Sequence, residues 1–347
     1  MTFPFNVYLI TTAGAFLVAA ISLPLWRHWC VKRGLVDEPG RRKIHDHPIP
    51  LAGGLAVITA LLIPTLVSAY LVWFEKSGIT HLPMSAARWL HTVGFLPHVD
   101  PNTTNLLSHG LGARGLELTG ILAGALGMTV LGLLDDSKEL KPAAKFIGQF
   151  IVAGLVAVSG VRITLFVHNQ LFHYTVTILW VLTVINAFNF MDNMNGLCAG
   201  LGAIGAWYFG IMAAADGQYL VALIAFLTLG ALLGFLPYNF PQARAFLGDS
   251  GSHLIGYLLA VLAILPHFYT VSHPRRWAVL IPVLVLGVPL LDMAWVVGLR
   301  WRKGQPFYIG DTNHLSHRLV RSGLTRTQAV LLIWLMAAVL GGLVYLC

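Results

Sequence analysis

What most constrains this chain is the rhythm of its apolar runs. Ten stretches, near 5–26, 51–73, 116–134, 144–160, 174–191, 197–214, 218–236, 253–271, 277–299 and 327–346, follow one another with few charges inside them. Crossing a hydrocarbon core takes about 17–25 such residues, so each run is long enough or nearly so, and 144–160 is the marginal one. The 57% hydrophobic and 10% charged composition agrees, because soluble domains carry about 25% charged residues. A chain that must satisfy its backbone polar groups inside lipid does so as helices. The sequence therefore predicts one all-α polytopic membrane domain over residues 1–347, with about ten transmembrane helices. The first run is not read as a signal peptide, since it lacks a basic n-region and a small-x-small site.

The formal charge of +8 could suggest nucleic acid, but its placement points to the membrane. With the N-terminus outside, the inner loops hold Arg27, Lys32, Arg33, Arg41, Arg42, Lys43, Lys138, Lys141, Lys145, Arg244, Arg300, Arg302, Lys303, Arg318, Arg321 and Arg326. That asymmetry follows the positive-inside rule. It predicts both termini outside, a plasma (inner) membrane location, and no nucleic-acid partner. Cys30, Cys198 and Cys347 lie far apart, so neither a disulfide framework nor a zinc site is expected. The outer loop 74–115 carries His81, His91, His98 and His109 at irregular spacing, a weak metal signal. The weak alternation of 161–173 suggests a small hairpin.

The strong polar clusters all fall on the predicted inner side. Arg41-Arg42-Lys43-Ile44-His45-Asp46-His47-Pro48 leads into Gly53-Gly54. It reads either as a membrane anchor or as a phosphate contact, with Lys43 and His45 as the candidate ligating side chains. Asp135 and Asp136 end the third run, ahead of Lys138, Lys141, Lys145 and Gln149. Adjacent carboxylates repel unless a cation is near. They suit Mg²⁺, which takes one or two carboxylates and leaves places for water and phosphate; a helix stop paired to lysines is the competing reading. Asn186, Asn189 and Asp192 recur every three residues along one helix side, ahead of Asn193, Asn195 and Gly196. They are either glue between helices or a site at a helix mouth. Tyr238-Asn239-Phe240-Pro241 precedes Phe246-Leu247-Gly248-Asp249-Ser250-Gly251-Ser252, where a helix N-terminus would face an anion or a metal-bound group. Asp292 is read as a structural partner for an arginine. Asp311-Thr312-Asn313-His314-Leu315-Ser316-His317-Arg318 puts two histidines on one helix face beside a cation, as a phosphate-facing patch would. Carboxylates and cations on one face of one membrane suit a magnesium-dependent reaction between a charged soluble substrate and a lipid one, since phosphoryl transfer needs positioning and charge neutralisation.

The strings DDSKELKPAAKFIGQ, NAFNFMDNMNG, FLGDSGS and NHLSHR, in that order, resemble the polyprenyl-phosphate N-acetylhexosamine-1-phosphate transferases, glycosyltransferase family 4. The likeness runs from Gly34-Leu35-Val36-Asp37 to Leu324-Thr325-Arg326. It implies a ten- or eleven-helix fold with a cytoplasmic active-site cleft. It also implies attack by a polyprenyl phosphate on the β-phosphate of a UDP-sugar, with release of UMP. By resemblance Asp135 and Asp136 are the acidic pair, one of them base or nucleophile, and both are candidate metal ligands. Asp249 is the Mg²⁺ ligand, with Mn²⁺ as the alternative ion and Asp192 close by. Lys145, Asn189, Asn239 and Phe246 line the nucleotide part, joined as binding candidates by Asn186 and Asn195. His314 and His317, with Arg318, face the diphosphate. The partners implied are a UDP-sugar, a polyprenyl phosphate such as undecaprenyl phosphate, and the membrane, with a homodimer left open.

The chain departs from the family pattern at two places, Asn195, which puts the role of that position in holding base or sugar in question, and Ser316. The family commonly reads DGxDG where this chain has Asp192-Asn193-Met194-Asn195-Gly196, and commonly has another histidine at Ser316. The chain also lacks the His-His-His run of the lipid I translocase. The expected donor is therefore UDP-GlcNAc, with phospho-MurNAc-pentapeptide transfer as the alternative. A transporter of anionic lipid or nucleotide sugar would want midplane polar residues and paired broken helices, and an inactive scaffold would be consistent with Asn195 and Ser316.

Overall fold

The computed structural model describes residues 4–39, 47–76, 112, 114–165, 167–266, 276–306 and 312–346. Helix α1 (Phe5–Arg33) stops where Gly34 takes φ +69°, with Lys32 and Arg33 in its last turn. A two-residue ribbon follows, β1 (Val36–Asp37) antiparallel to β2 (Ile49–Pro50). Then come α2 (Gly53–Lys76), α3 (Gly115–Lys138), α4 (Pro142–Val158), α5 (Gln170–Met191), α6 (Leu197–Ala215) and α7 (Tyr219–Phe235). The chain continues through α8 (Gly248–Leu262), α9 (Ile281–Val285), α10 (Gly287–Arg302), α11 (Leu315–Arg321) and α12 (Arg326–Gly342). Lys43, His45 and the four histidines of the 74–115 loop lie outside the described residues.

Every apolar run read from the sequence contains a helix. Among the described residues seven helices are long and apolar enough to cross a membrane. An eighth span arises if α9 and α10, bent 70° at their junction, are taken together. Helix α4 has 17 residues and α8 has 15. The reason differs for each. On α4, Ile147, Phe150, Ile151 and Val158 are exposed while Gln149, Ala153, Val156 and Ala157 are buried, so it is a two-sided helix. On α8, every residue from Ser250 to Leu262 is buried. Its apolar character serves protein on all sides rather than lipid.

Helix α8 packs against α2, α3, α5 and α6. Glycines set how close they come. A Cβ on Gly132 of α3 would stand 2.3 Å from the Ser250 Cα, and one on Gly54 of α2 would stand 2.5 Å from the Gly251 nitrogen. Small residues let helix backbones approach in this way. Large apolar side chains such as Leu17, Ile21 and Leu25 on α1 and Leu335 and Val339 on α12 face outward, exposed. Together these features make a multi-pass, all-helical membrane protein.

The expected hairpin at 161–173 does not form among the described residues. Asn169 Oδ1 instead accepts the Phe172 N–H as the N-cap of α5, and Thr177 Oγ1 accepts the Ile163 N–H at 2.9 Å. A cap and a tie to the helix side satisfy the backbone polar groups that a hairpin would have paired.

Candidate functional site

Two consecutive acids end α3, and the backbone sends them different ways. Asp136 turns to the start of α8: its Oδ1 accepts the Asp249 N–H at 2.8 Å and its Oδ2 the Ser250 N–H at 3.1 Å. It thus caps α8 from another helix, satisfying N–H groups that a helix start leaves free. Gly248, at φ +71°, makes the turn possible, since a Cβ there would lie 2.7 Å from Asp136 Oδ2. Asp135 is buried. Its Oδ1 accepts the Leu140 N–H at 2.8 Å, which fixes the α3–α4 turn.

That turn brings Lys145, one helical turn into α4, up to the acids. Its ammonium contacts Asp135 Oδ2 and lies 3.0 Å from Asp249 Oδ2. One ammonium is thus shared by two carboxylates from different helices. Asn189, near the end of α5, donates from Nδ2 to Asp249 Oδ1 at 2.6 Å and to Ser252 Oγ at 3.0 Å. Asp192 sits just past α5. Burial, with the Asp249 and Asp136 carboxylates near it, pushes its carboxyl up to about 8. Residues from α3, α4, α5 and α8 therefore converge on Asp249.

One turn deeper lies a second polar layer that the sequence signalled only in part. Asn186 donates to Gln149 Oε1 at 2.8 Å and to the Leu182 carbonyl. With its oxygen so engaged, Gln149 presents its NH₂ to His253 Nε2, 3.4 Å away. Gln149 follows Lys145 by four residues, His253 follows Asp249 by four, and Asn186 precedes Asn189 by three. Each therefore shares a helix face with a member of the first layer. The sequence reading missed His253, which nothing marked as polar company for Gln149 except that shared spacing.

The remaining candidates group around the end of α5. His314 is buried, with Nδ1 2.7 Å from Asp292 Oδ2, and Leu315 N–H donates to Asp292 Oδ1 at 2.6 Å. An ionised carboxylate only accepts, so His314 Nδ1 carries a proton and donates it to Asp292. The His314 ring meets Phe190 edge-on, and His317 lies 6.5 Å from it, centre to centre. Arg318 stacks over Trp295 at 4.9 Å, and Arg300 over Phe190 at 5.0 Å. Ser316 is buried and donates to Asn193 Oδ1 at 2.6 Å, so α11 is pinned to the Asp192–Gly196 turn. Asn239, also buried, accepts the Gly196 N–H at 2.6 Å and donates to the Ala245 carbonyl at 2.9 Å. Both ends of its amide hold one loop to another. Asn195 donates to the Pro241 carbonyl at 3.2 Å. Phe246 exchanges backbone bonds with Pro50 and Gly53, seating the approach to α8 on β2 and α2.

Among the described residues no three His, Cys, Asp or Glu side chains are grouped to hold a metal. Magnesium asks for less: one or two carboxylates, the rest water and phosphate oxygens. Asp135 and Asp249, two carboxylates facing one shared cation, fit that demand.

Fold and centre together define a multi-pass helical membrane protein with a carboxylate, lysine and amide centre at its helix ends. The chain belongs to glycosyl transferase family 4, whose model matches residues 118–267, from α3 to just past α8. It is 29% identical over 333 residues to the probable undecaprenyl-phosphate N-acetylglucosaminyl 1-phosphate transferase of Bacillus subtilis (strain 168), covering 92% of this chain and 80% of that protein. It is 31% identical to the decaprenyl-phosphate N-acetylglucosaminephosphotransferase of Mycolicibacterium smegmatis, covering 89% of this chain and 74% of that one. It is 28% identical to the undecaprenyl-phosphate alpha-N-acetylglucosaminyl 1-phosphate transferase of Salmonella typhi, covering 94% and 80%.

Proposed function

We propose that this protein transfers N-acetylglucosamine 1-phosphate from UDP-N-acetylglucosamine to undecaprenyl phosphate at the cytoplasmic face of the inner membrane, releasing UMP. The observation that carries the reading is the convergence of Asp135, Lys145, Asn189 and Asp249, from four helices, on one point. Such a point holds opposed charges in fixed geometry, which phosphoryl transfer requires. The names of the relatives above support the sugar and the lipid.

The residues divide the work. Asp136 spends both oxygens on the start of α8 and so positions Asp249. Asp249 and Asp135 would hold Mg²⁺, which when bound supplies positive charge to the diphosphate. Asp135 also lies where its carboxylate can take the proton of the lipid phosphate. An oxygen of that phosphate then attacks the β-phosphorus of the UDP-sugar, and the bond from the β-phosphorus to the bridging oxygen breaks, UMP leaving with the electron pair. His314, oriented through Nδ1 by Asp292, would meet the diphosphate as the family resemblance implies, and Lys145 would meet the same charge.

Membranes holding the wild type should release UMP from UDP-N-acetylglucosamine, undecaprenyl phosphate and Mg²⁺ and form lipid-linked sugar. Asp135→Asn and Asp249→Asn should insert normally and lose release by about 10²–10³-fold, the scale of a lost charge stabilisation in the transition state. Unchanged release by either variant would remove that residue from the site. Product from UDP-MurNAc-pentapeptide alone would move the assignment to the lipid I reaction.

A further inference from the structure

We infer that Lys145 is a tethered stand-in for the metal: its ammonium balances Asp135 and Asp249 until a divalent cation displaces it, and the freed ammonium then turns to the substrate's phosphates. This rests on the magnesium reading above and adds an exchange step to it.

The argument begins from charge. Two carboxylates from different helices face one point, and buried like charges repel strongly unless a cation lies between them. Lys145 supplies that cation, touching Asp135 Oδ2 and Asp249 Oδ2 together. It holds both acids at once, bonded to Asp249 Oδ2 at 3.0 Å and in contact with Asp135 Oδ2. A divalent ion at the same point would serve both oxygens and carry twice the charge. The point is also reachable, since the Lys145 side chain is 24% exposed and that of Asp249 30%.

Both cations cannot occupy one point, so metal entry must move the ammonium. The long flexible stem of lysine allows that movement. The count of charge shows the consequence. A divalent ion adds two positive charges to the centre, and the ammonium is then no longer spent on the acids. The lysine thus keeps the unloaded centre balanced and is released toward an incoming diphosphate once the ion is in place.

The test needs no turnover. Purified protein in detergent, without nucleotide, is titrated with Mn²⁺ by electron paramagnetic resonance. Lys145→Gln should bind Mn²⁺ at least ~10-fold more tightly than wild type, because a competing unit charge has gone. Its metal-free melting temperature should lie below that of wild type and rise on adding Mg²⁺. Lys145→Arg provides a second arm should the glutamine variant not fold. Its planar fork suits two carboxylates, so it should bind Mn²⁺ several-fold more weakly than wild type. Wild type binding Mn²⁺ with Lys145→Gln equal or weaker overturns the exchange while leaving the metal site in place. Absence of any Mn²⁺ binding that Asp249→Asn removes overturns the metal reading, and the exchange with it.

Discussion

Replacing Asp292 with alanine should unsettle α11 more than any surface change. The carboxylate has two structural clients, the buried His314 Nδ1 at 2.7 Å and the Leu315 N–H at 2.6 Å, which opens α11. Alanine leaves both without that acceptor. Each buried group stripped of its partner costs about 1–3 kcal/mol, so Asp292→Ala should lose about 2–6 kcal/mol of stability. Asp292→Asn is the finer probe. Its amide oxygen can still accept from Leu315, but its NH₂ then faces Nδ1, and the His314 proton must move to Nε2. That variant should lose about half as much, about 1–3 kcal/mol, and carry His314 in the other tautomer. Thermal melts of purified protein in detergent, ring ¹⁵N shifts of His314, and kcat/KM for UMP release measure the three effects separately. The reasoning fails if Asp292→Ala melts and turns over like wild type. It fails equally if Asp292→Asn keeps the Nδ1–H tautomer.

Gly132→Ala should cost about 1–3 kcal/mol or more by overpacking, because its Cβ would meet the Ser250 backbone at 2.3 Å. Gly14→Ala, whose Cβ meets nothing within 4 Å, should melt at or above the wild-type temperature, and equal melts for the two would refute the packing argument. Burial, with His314, Arg321 and Arg326 adding to it, holds His317 below the usual imidazole range. Its proton is thus bound more weakly in the folded chain than in the unfolded one. The corresponding stability is fully present above the unfolded value of about 6.5 and is lost as pH falls below it. His317→Gln should flatten the decline of melting temperature between about pH 6.5 and pH 5, and an unaltered slope would remove His317 as its source.

Much of the fold was legible because apolar period and length act locally. Each of the ten runs contains a helix, and Asp135, Asn189 and Asp249, far apart in sequence, do meet. What was not legible depends on which helix faces which. Hydropathy cannot distinguish a helix wrapped in protein from one facing lipid, so the burial of α8 on all sides did not show in its sequence. The 161–173 alternation was too weak to compete with the Asn169 cap. Pairings such as Lys145 with Asp249, or Ser316 with Asn193, join residues 104 and 123 positions apart, and no spacing rule reaches so far. Ser316, a departure from the family pattern, has a defined place: its hydroxyl holds α11 to the turn after α5. The neighbouring Asn195 likewise ties that turn to Pro241.

The burial of α8 also bears on how the protein is made. As 15 residues of helix it is about 22 Å long, against a hydrocarbon core of about 30 Å, and its first turn is polar. Held alone in lipid it would leave that turn unsatisfied. The partners that satisfy it, Asp136 of α3 and Asn189 of α5, leave the ribosome earlier, as do the glycines of α2 and α3 that give it room. Seating α8 among them is therefore the step that brings Asp249 to Asp135, Lys145 and Asn189. A chain arrested before that step would lack the whole centre at once. Incomplete assembly and catalytic silence then coincide, and a half-inserted copy has no means of acting on the lipid around it.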